Sequence, residues 1–150
     1  MQGMWVFLTS VSGITAICSR NIIDPGAYFY IGCALWIFGF LFESISDYQK
    51  RKFKVQNPES FISSGLWSLS RHPNYFGEIV LWLGITIIAL PVLQGYQYFS
   101  LISPIFVFWL LTKVSGIPIL ERHADETWGS QEDYKKYKES TPVLFPKFFK

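Results

Sequence analysis

The sequence predicts an all-α integral membrane protein, a single domain of about four transmembrane helices followed by a short cytoplasmic helical tail. Half of the 150 residues are hydrophobic and only 16% are charged, against roughly 25% charged in an ordinary soluble domain. Charges are also absent from three long blocks, residues 1–19, 25–42 and 79–112. Because about 20 mainly apolar residues cross a bilayer, the first two blocks each suit one crossing and the third suits two.

Four membrane helices follow from these blocks, with predicted ranges of about Trp5–Cys18, Ala27–Tyr48, Pro73–Leu90 and Tyr96–Ser115. Turn residues at 21–26 and 91–96 separate the helices of each pair. Pro73 favours a helix start, because proline fits the first turn, where its missing N–H has no partner to lose. Gly116 and Pro118 end the fourth helix. The C-terminal tail, from Leu120 onwards, contains two helical pieces, 120–126 and 132–138.

The distribution of basic residues predicts the orientation. With the N-terminus inside, Arg20 is the only Lys or Arg of thirteen that falls outside. The positive-inside rule then places the loop 48–72 and the tail in the cytoplasm. A bacterial inner membrane and the endoplasmic reticulum both fit this topology. Membrane lipid is therefore an expected partner.

Other function classes are disfavoured by composition. The net charge of +2 is too small to indicate nucleic-acid binding. Cys18 and Cys33 form no CxxC motif, and His72 and His123 are the only histidines, so no metal site is predicted. Neither a GxGxxG motif nor a P-loop occurs.

Ionisable residues crowd the end of the second predicted helix. Glu43 and Asp47 lie four residues apart and share a helix face. They form either a solvated helix end or a pair that faces a ligand, since carboxylates in membrane helices tend to face the bundle interior. A basic run follows and suits either an anchor to anionic lipid or a group that holds phosphates. It consists of Lys50, Arg51, Lys52 and Lys54.

The polar stretch Ser64–Glu78 lies between two apolar segments and leads into the third helix. Asn74 and Glu78 lie four residues apart at the start of the third helix, where they present an amide and a carboxylate on one face. Two runs within the stretch are informative: Ser64-Gly65-Leu66-Trp67 and Ser70-Arg71-His72-Pro73-Asn74-Tyr75-Phe76-Gly77-Glu78.

These runs resemble the signature of steroid 5-alpha-reductase-like membrane proteins, including their bacterial branch. Glu43 and Asp47 upstream, and Glu121 and Arg122 with Tyr134 and Tyr137 downstream, follow the family's order and spacing. The resemblance covers nearly the whole chain. The chain resembles the C-terminal portion of such proteins and is expected to lack their N-terminal helices. A second chain that supplies those helices is therefore an expected partner.

The resemblance implies an NADPH-dependent reductase of a carbon–carbon double bond in a lipophilic, steroid-like or fatty-enone-like substrate, within lipid metabolism. Glu43 and Asp47 would meet the adenosine half of the cofactor, and Lys54 and Arg71 its phosphates. Asn74 and Glu78 would reach the nicotinamide carboxamide, with His72 and Tyr75 in the same cofactor-binding motif. The tail would close the site with Glu121, Arg122, Tyr134 and Tyr137. No residue is assigned a catalytic role.

Two alternatives stay open. Isoprenylcysteine carboxyl methyltransferases share an Arg-His-Pro-x-Tyr element at a helix start, and their cofactor would be S-adenosylmethionine. The chain also suits a non-catalytic membrane subunit. The reductase is favoured because Asn74 and Glu78 follow the Arg-His-Pro element and because Glu43 and Asp47 precede it.

Overall fold

The computed structural model describes residues 2–21 and 24–148, and within these ranges every regular element is helical. Six α-helices follow one another along the chain. They are α1 (Gln2–Cys18), α2 (Ala27–Gln56), α3 (Pro73–Ala89), α4 (Ile102–Trp109), α5 (Ile117–Trp128) and α6 (Glu132–Ser140). Short 3-10 turns and one π turn, at Leu110–Val114, lie between α2 and α5.

Three helical segments are long and apolar enough to cross a membrane. They are Ala27–Gln56, Pro73–Val92 and Gly95–Trp128. Helix α1 is apolar too, but its apolar part, Gly3–Cys18, is shorter. The predicted helical class and membrane character are therefore confirmed, whereas the count of four crossings stays a prediction.

Two predicted helices differ from the structure. The fourth, predicted over Tyr96–Ser115, is α-helical only at Ile102–Trp109, with a 3-10 segment before it and a π turn after it. Helix α2 was expected to end near Tyr48 and to be followed by a loop spanning 48–72, but it continues to Gln56. Lys, Arg and Gln are strong helix formers, so the basic run prolongs the helix instead of breaking it. The helix ends where the N–H of Asn57 bonds the carbonyl of Phe53. As a result, Lys50 and Lys54 lie on one face of a rigid helix.

Helices α2 and α3 are antiparallel, and their backbones touch at two levels. A Cβ atom added to Gly39 would lie 2.6 Å from the carbonyl oxygen of Gly77. One added to Gly84 would lie 2.7 Å from the carbonyl oxygen of Gly32. Only residues without a side chain permit this approach. The contact fixes the helix register and brings the end of α2 beside the start of α3.

Hydroxyl groups join α1 to the other membrane helices. Ser12 Oγ lies 3.3 Å from Thr86 Oγ1 on α3. Ser103 Oγ on α4 donates to the carbonyl of Thr9. Such interhelical hydrogen bonds hold apolar helices together where the hydrophobic effect between them is weak.

The chain beyond α6 runs along the loop before α3. The N–H of Arg71 donates to the carbonyl of Pro142 at 2.9 Å, and the N–H of His72 donates to that of Val143 at 3.1 Å. In return, the N–H of Lys147 donates to the carbonyl of Leu69 at 3.0 Å. The C-terminal segment, α5 and α6 therefore lie at the same end of the bundle as the start of α3.

Candidate functional site

The residues before α3 are held in place by their backbone. Pro73 begins the helix, and His72 before it has non-helical φ and ψ angles of −135° and 62°, because the proline ring disfavours helical angles in the residue that precedes it. Ser70 is fully buried, and its Oγ donates to the carbonyl of Leu144 at 2.8 Å. The C-terminal segment thus fixes the backbone at Arg71 and His72, and with it the direction of their side chains.

Glu121 on α5 connects three elements. Its Oε2 lies 2.7 Å from Arg71 Nη1, and its Oε1 accepts from His72 Nε2 at 2.8 Å. Lys138 Nζ on α6 lies 4.0 Å from Oε2. The side chains of Arg71 and Glu121 are only 10% and 19% exposed, so water screens this pair less than a surface ion pair.

A cavity of about 230 Å³ opens beside this pair. Its wall combines cationic and aromatic side chains from α2, the connection to α3, α5 and α6. The charged and aromatic residues of the lining include Lys50, Lys54, Phe61, Trp67, Arg71, Glu121, Trp128, Tyr134 and Tyr137. The cavity therefore suits an anion that carries a planar or apolar part.

Two lysines stand over tryptophan rings at the cavity wall. Lys50 Nζ is 5.0 Å from the centre of the Trp67 ring, and Lys54 Nζ is 4.8 Å from that of Trp128. The rings are themselves anchored, because Trp67 Nε1 donates to the carbonyl of Ser46 and Trp128 Nε1 to that of Glu59. Within residues 2–21 and 24–148, neither lysine has a carboxylate within 4.0 Å.

Two tyrosines of α6 complete the wall. Tyr137 donates its hydroxyl to the carbonyl of Trp67 at 2.7 Å, and Tyr134 donates to Asp125 Oδ1 at 3.2 Å. Burial, and then the neighbouring charge of Asp125, raises the pKa of Tyr134 to about 12. Burial also raises the pKa of Tyr137. Both hydroxyls are therefore neutral at physiological pH and remain hydrogen-bond donors.

The structure separates the predicted cofactor-binding residues into groups. Five of them line the cavity: Lys54, Arg71, Glu121, Tyr134 and Tyr137. His72 contacts Glu121 and stacks on Tyr75, with ring centres 5.7 Å apart. Arg122 is exposed and lies outside the cavity lining.

A second group of predicted residues lies along the contact between α2 and α3, outside the cavity. Its members are Glu43, Asp47, Asn74, Tyr75 and Glu78, and they do not line the cavity. The Cβ of Glu43 would lie 2.9 Å from a Cβ added to Gly77. Glu43, Asp47 and Glu78 lie within electrostatic range of one another. The buried Oδ1 of Asn74 has no hydrogen-bond partner in the part of the chain that the structure describes. Cofactor binding by either group stays a prediction.

Sequence reasoning missed part of the cavity wall. Lys50 was grouped with the basic run, and Trp67 and Trp128 were not proposed as site residues. The spacing of Lys50 and Lys54, one helical turn apart, is a signal that would have found Lys50 if α2 had been extended. The tryptophans carry no comparable local signal.

Fold and cavity together define a helical membrane protein with a cationic, aromatic cavity at one end of its bundle. The model of a protein family of unknown function, DUF1295, matches residues 1–141. The chain belongs to the DUF1295 family. A search of curated proteins and a search of solved structures each returned no match.

Proposed function

We propose that this chain is the cofactor-binding part of a membrane reductase that uses NADPH to reduce a carbon–carbon double bond in a lipophilic substrate. The observation that carries the proposal is the convergence on one cavity of five residues from distant parts of the chain: Lys54, Arg71, Glu121, Tyr134 and Tyr137. These residues come from α2, the start of α3, α5 and α6. The resemblance to steroid 5-alpha-reductase-like proteins selected five of the lining residues by sequence.

The cavity has the chemistry that a nucleotide requires. Arg71 and the lysines supply charge-assisted hydrogen bonds to phosphate oxygens. Trp67 and Trp128 offer flat faces for a base. A cavity of about 230 Å³ holds one part of a dinucleotide, and the second group of residues is proposed to hold the nicotinamide part.

The second group has matching polar atoms. The unpartnered Oδ1 of Asn74 and the carboxylate of Glu78 accept hydrogen bonds, so both suit the NH2 of a carboxamide. Glu43 and Asp47 lie beside Glu78 in the same group, so we propose that they face the nicotinamide part too, and not the adenosine half that the resemblance assigned to them. When bound, NADPH supplies a hydride, and the chain's own part is to bind and orient the cofactor.

We propose that the cavity faces the cytoplasm and that α1 forms a fourth crossing. The end of α2, the start of α3 and the tail lie at one end of the bundle, together with nearly all basic residues. The positive-inside rule assigns that end to the cytoplasm. A lipophilic substrate would then enter from the membrane, and the cofactor from the aqueous side.

Titration of the purified protein in detergent tests the proposal. We expect saturable binding of NADPH and none of S-adenosylmethionine. Arg71→Met should weaken NADPH binding about tenfold or more because a charge-assisted contact is lost. Arg122→Met, a matched change at an exposed arginine of the tail, should leave binding unchanged.

Three results would contradict the proposal. Saturable binding of S-adenosylmethionine alone would favour a methyltransferase. Binding of neither cofactor by protein with an intact thermal transition would favour a non-catalytic subunit. If Arg71→Met and Arg122→Met weakened NADPH binding equally, the cavity would not be the binding site.

A further inference from the structure

We propose that Lys50 and Lys54 form a subsite for a phosphate monoester. This inference rests on the proposed function. The phosphate monoester is the phosphate on the 2′ carbon of the adenosine ribose. The two lysines would therefore make the chain select NADPH over NADH. Lys50 is not among the residues that the family resemblance assigns. Its position in the cavity wall, over the Trp67 ring, is what distinguishes it from the other residues of the basic run.

The two lysines are positioned to act together. They are one turn apart on α2, and neighbours at this spacing have Cβ atoms about 5–6 Å apart. Both line the cavity. Because lysine side chains are long and flexible, ammonium groups from these two positions can reach different oxygens of one phosphate group.

The charges of the cavity leave these lysines uncompensated. Arg71 is paired with Glu121, and Lys138 with Asp125. Asp47 lies within electrostatic range of Lys50, but it is outside the cavity lining and makes no ion pair with Lys50 within 4.0 Å. Two unpaired positive charges match a phosphate monoester, which carries about −1.5 to −2 at pH 7. Each phosphate of a pyrophosphate diester carries about one charge, a poorer match.

The tryptophans hold the ammonium groups without neutralising them. Lys50 stands over Trp67 and Lys54 over Trp128, and a cation–π contact is weaker than a charge-assisted hydrogen bond to phosphate. Lys54 also donates one hydrogen bond to the carbonyl of Pro58 at 3.1 Å, which leaves two of its three donors. A bound phosphate would therefore draw the ammonium groups away from the rings. The freed ring faces would be available to the adjacent adenine.

Paired ligands that differ only in the 2′-phosphate test this inference. Binding of NADPH and NADH, and of adenosine 2′,5′-bisphosphate and adenosine 5′-monophosphate, is followed by tryptophan fluorescence in detergent free of anionic lipid. We expect the phosphorylated member of each pair to bind about a hundredfold more tightly. Lys50→Met and Lys54→Met should each weaken that member about tenfold or more and leave the other unchanged. Lys52→Met, at an exposed neighbour two residues away, is the matched control.

The outcomes separate this inference from the proposed function. If neither dinucleotide binds, the proposed function fails and the assignment to NADPH fails with it. If NADPH binds but the lysine variants weaken NADPH and NADH equally, only the present inference is overturned, because the lysines would then serve the pyrophosphate that both cofactors share. Equal affinity of the unmodified chain for NADPH and NADH would overturn it as well.

Discussion

At the scale of single residues, Glu121 joins three parts of the structure. The sequence placed it among the tail residues that close the site. The structure shows that its two oxygens contact the Arg71 and His72 side chains before α3, while Lys138 approaches from α6. Glu121 therefore neutralises Arg71 and also attaches the tail to the bundle.

Replacement of this carboxylate should destabilise the fold. Glu121→Gln keeps the shape but leaves the guanidinium of Arg71, 10% exposed, without a counter-charge. Removal of one partner from a largely buried pair costs about 1–3 kcal/mol when the site keeps some solvent access. We expect the midpoint of thermal unfolding in detergent to fall by about 3–10 °C.

The exposed Glu126 on the same helix is the control. It makes no ion pair within the described residues, so Glu126→Gln should shift the midpoint by about 2 °C or less. An unchanged midpoint for Glu121→Gln would show that Arg71 does not depend on this partner.

At the scale of elements, the contact between α2 and α3 sets the site. The glycine pairs Gly39–Gly77 and Gly32–Gly84 lie seven residues apart on each helix, so the two backbones stay close over two turns. This contact places the lysines at the end of α2 beside Arg71 at the start of α3. The cavity therefore depends on residues that do not line it.

A single methyl group at this contact should separate the helices. The added Cβ of Gly39→Ala would lie 2.5 Å from the backbone nitrogen of Leu81 and 2.6 Å from the carbonyl oxygen of Gly77, and backbone atoms cannot rotate away. We expect a loss of about 1–3 kcal/mol or more, seen as a lower unfolding midpoint and aggregation in size-exclusion chromatography.

Gly3→Ala provides the comparison within another helix. A Cβ at Gly3 meets no atom within 4 Å, and alanine is the better helix former. This variant should be at least as stable as the unchanged protein. Equal behaviour of the two variants would contradict the close backbone contact between α2 and α3.

At the scale of the whole molecule, the structure gathers its charged elements at one end. Basic residues of α2, Arg71 before α3 and the ionisable residues of α5 and α6 all lie there, whereas Ser19 at the end of α1 contacts the carbonyl of Val92 at 2.9 Å at the other end. Such a charge gradient along a bundle predicts its orientation in a membrane.

Site-directed labelling tests the proposed orientation. In a background with Cys18→Ala and Cys33→Ala, single cysteines are introduced by Lys52→Cys and Arg20→Cys, both at exposed positions. A membrane-impermeant maleimide added to intact cells should label the Arg20 variant, and the Lys52 variant only after permeabilisation. The reverse pattern would place the cavity outside, and labelling of both or neither in intact cells would contradict the proposed crossing by α2.

The sequence by itself determined the helical membrane class and the start of α3 at Pro73, whereas the candidate residues Lys54, Arg71, Glu121, Tyr134 and Tyr137 came from the resemblance of its motifs to a known family. Hydropathy and the proline ring act locally, so such features can be read from short windows. The tertiary structure alone decided that these five residues share a cavity with Lys50, Trp67 and Trp128, and that Glu43, Asp47, Asn74, Tyr75 and Glu78 lie outside it. Convergence of residues 50–71 with 121–137 depends on how closely the helix backbones approach, and that approach depends on glycine contacts between distant parts of the chain.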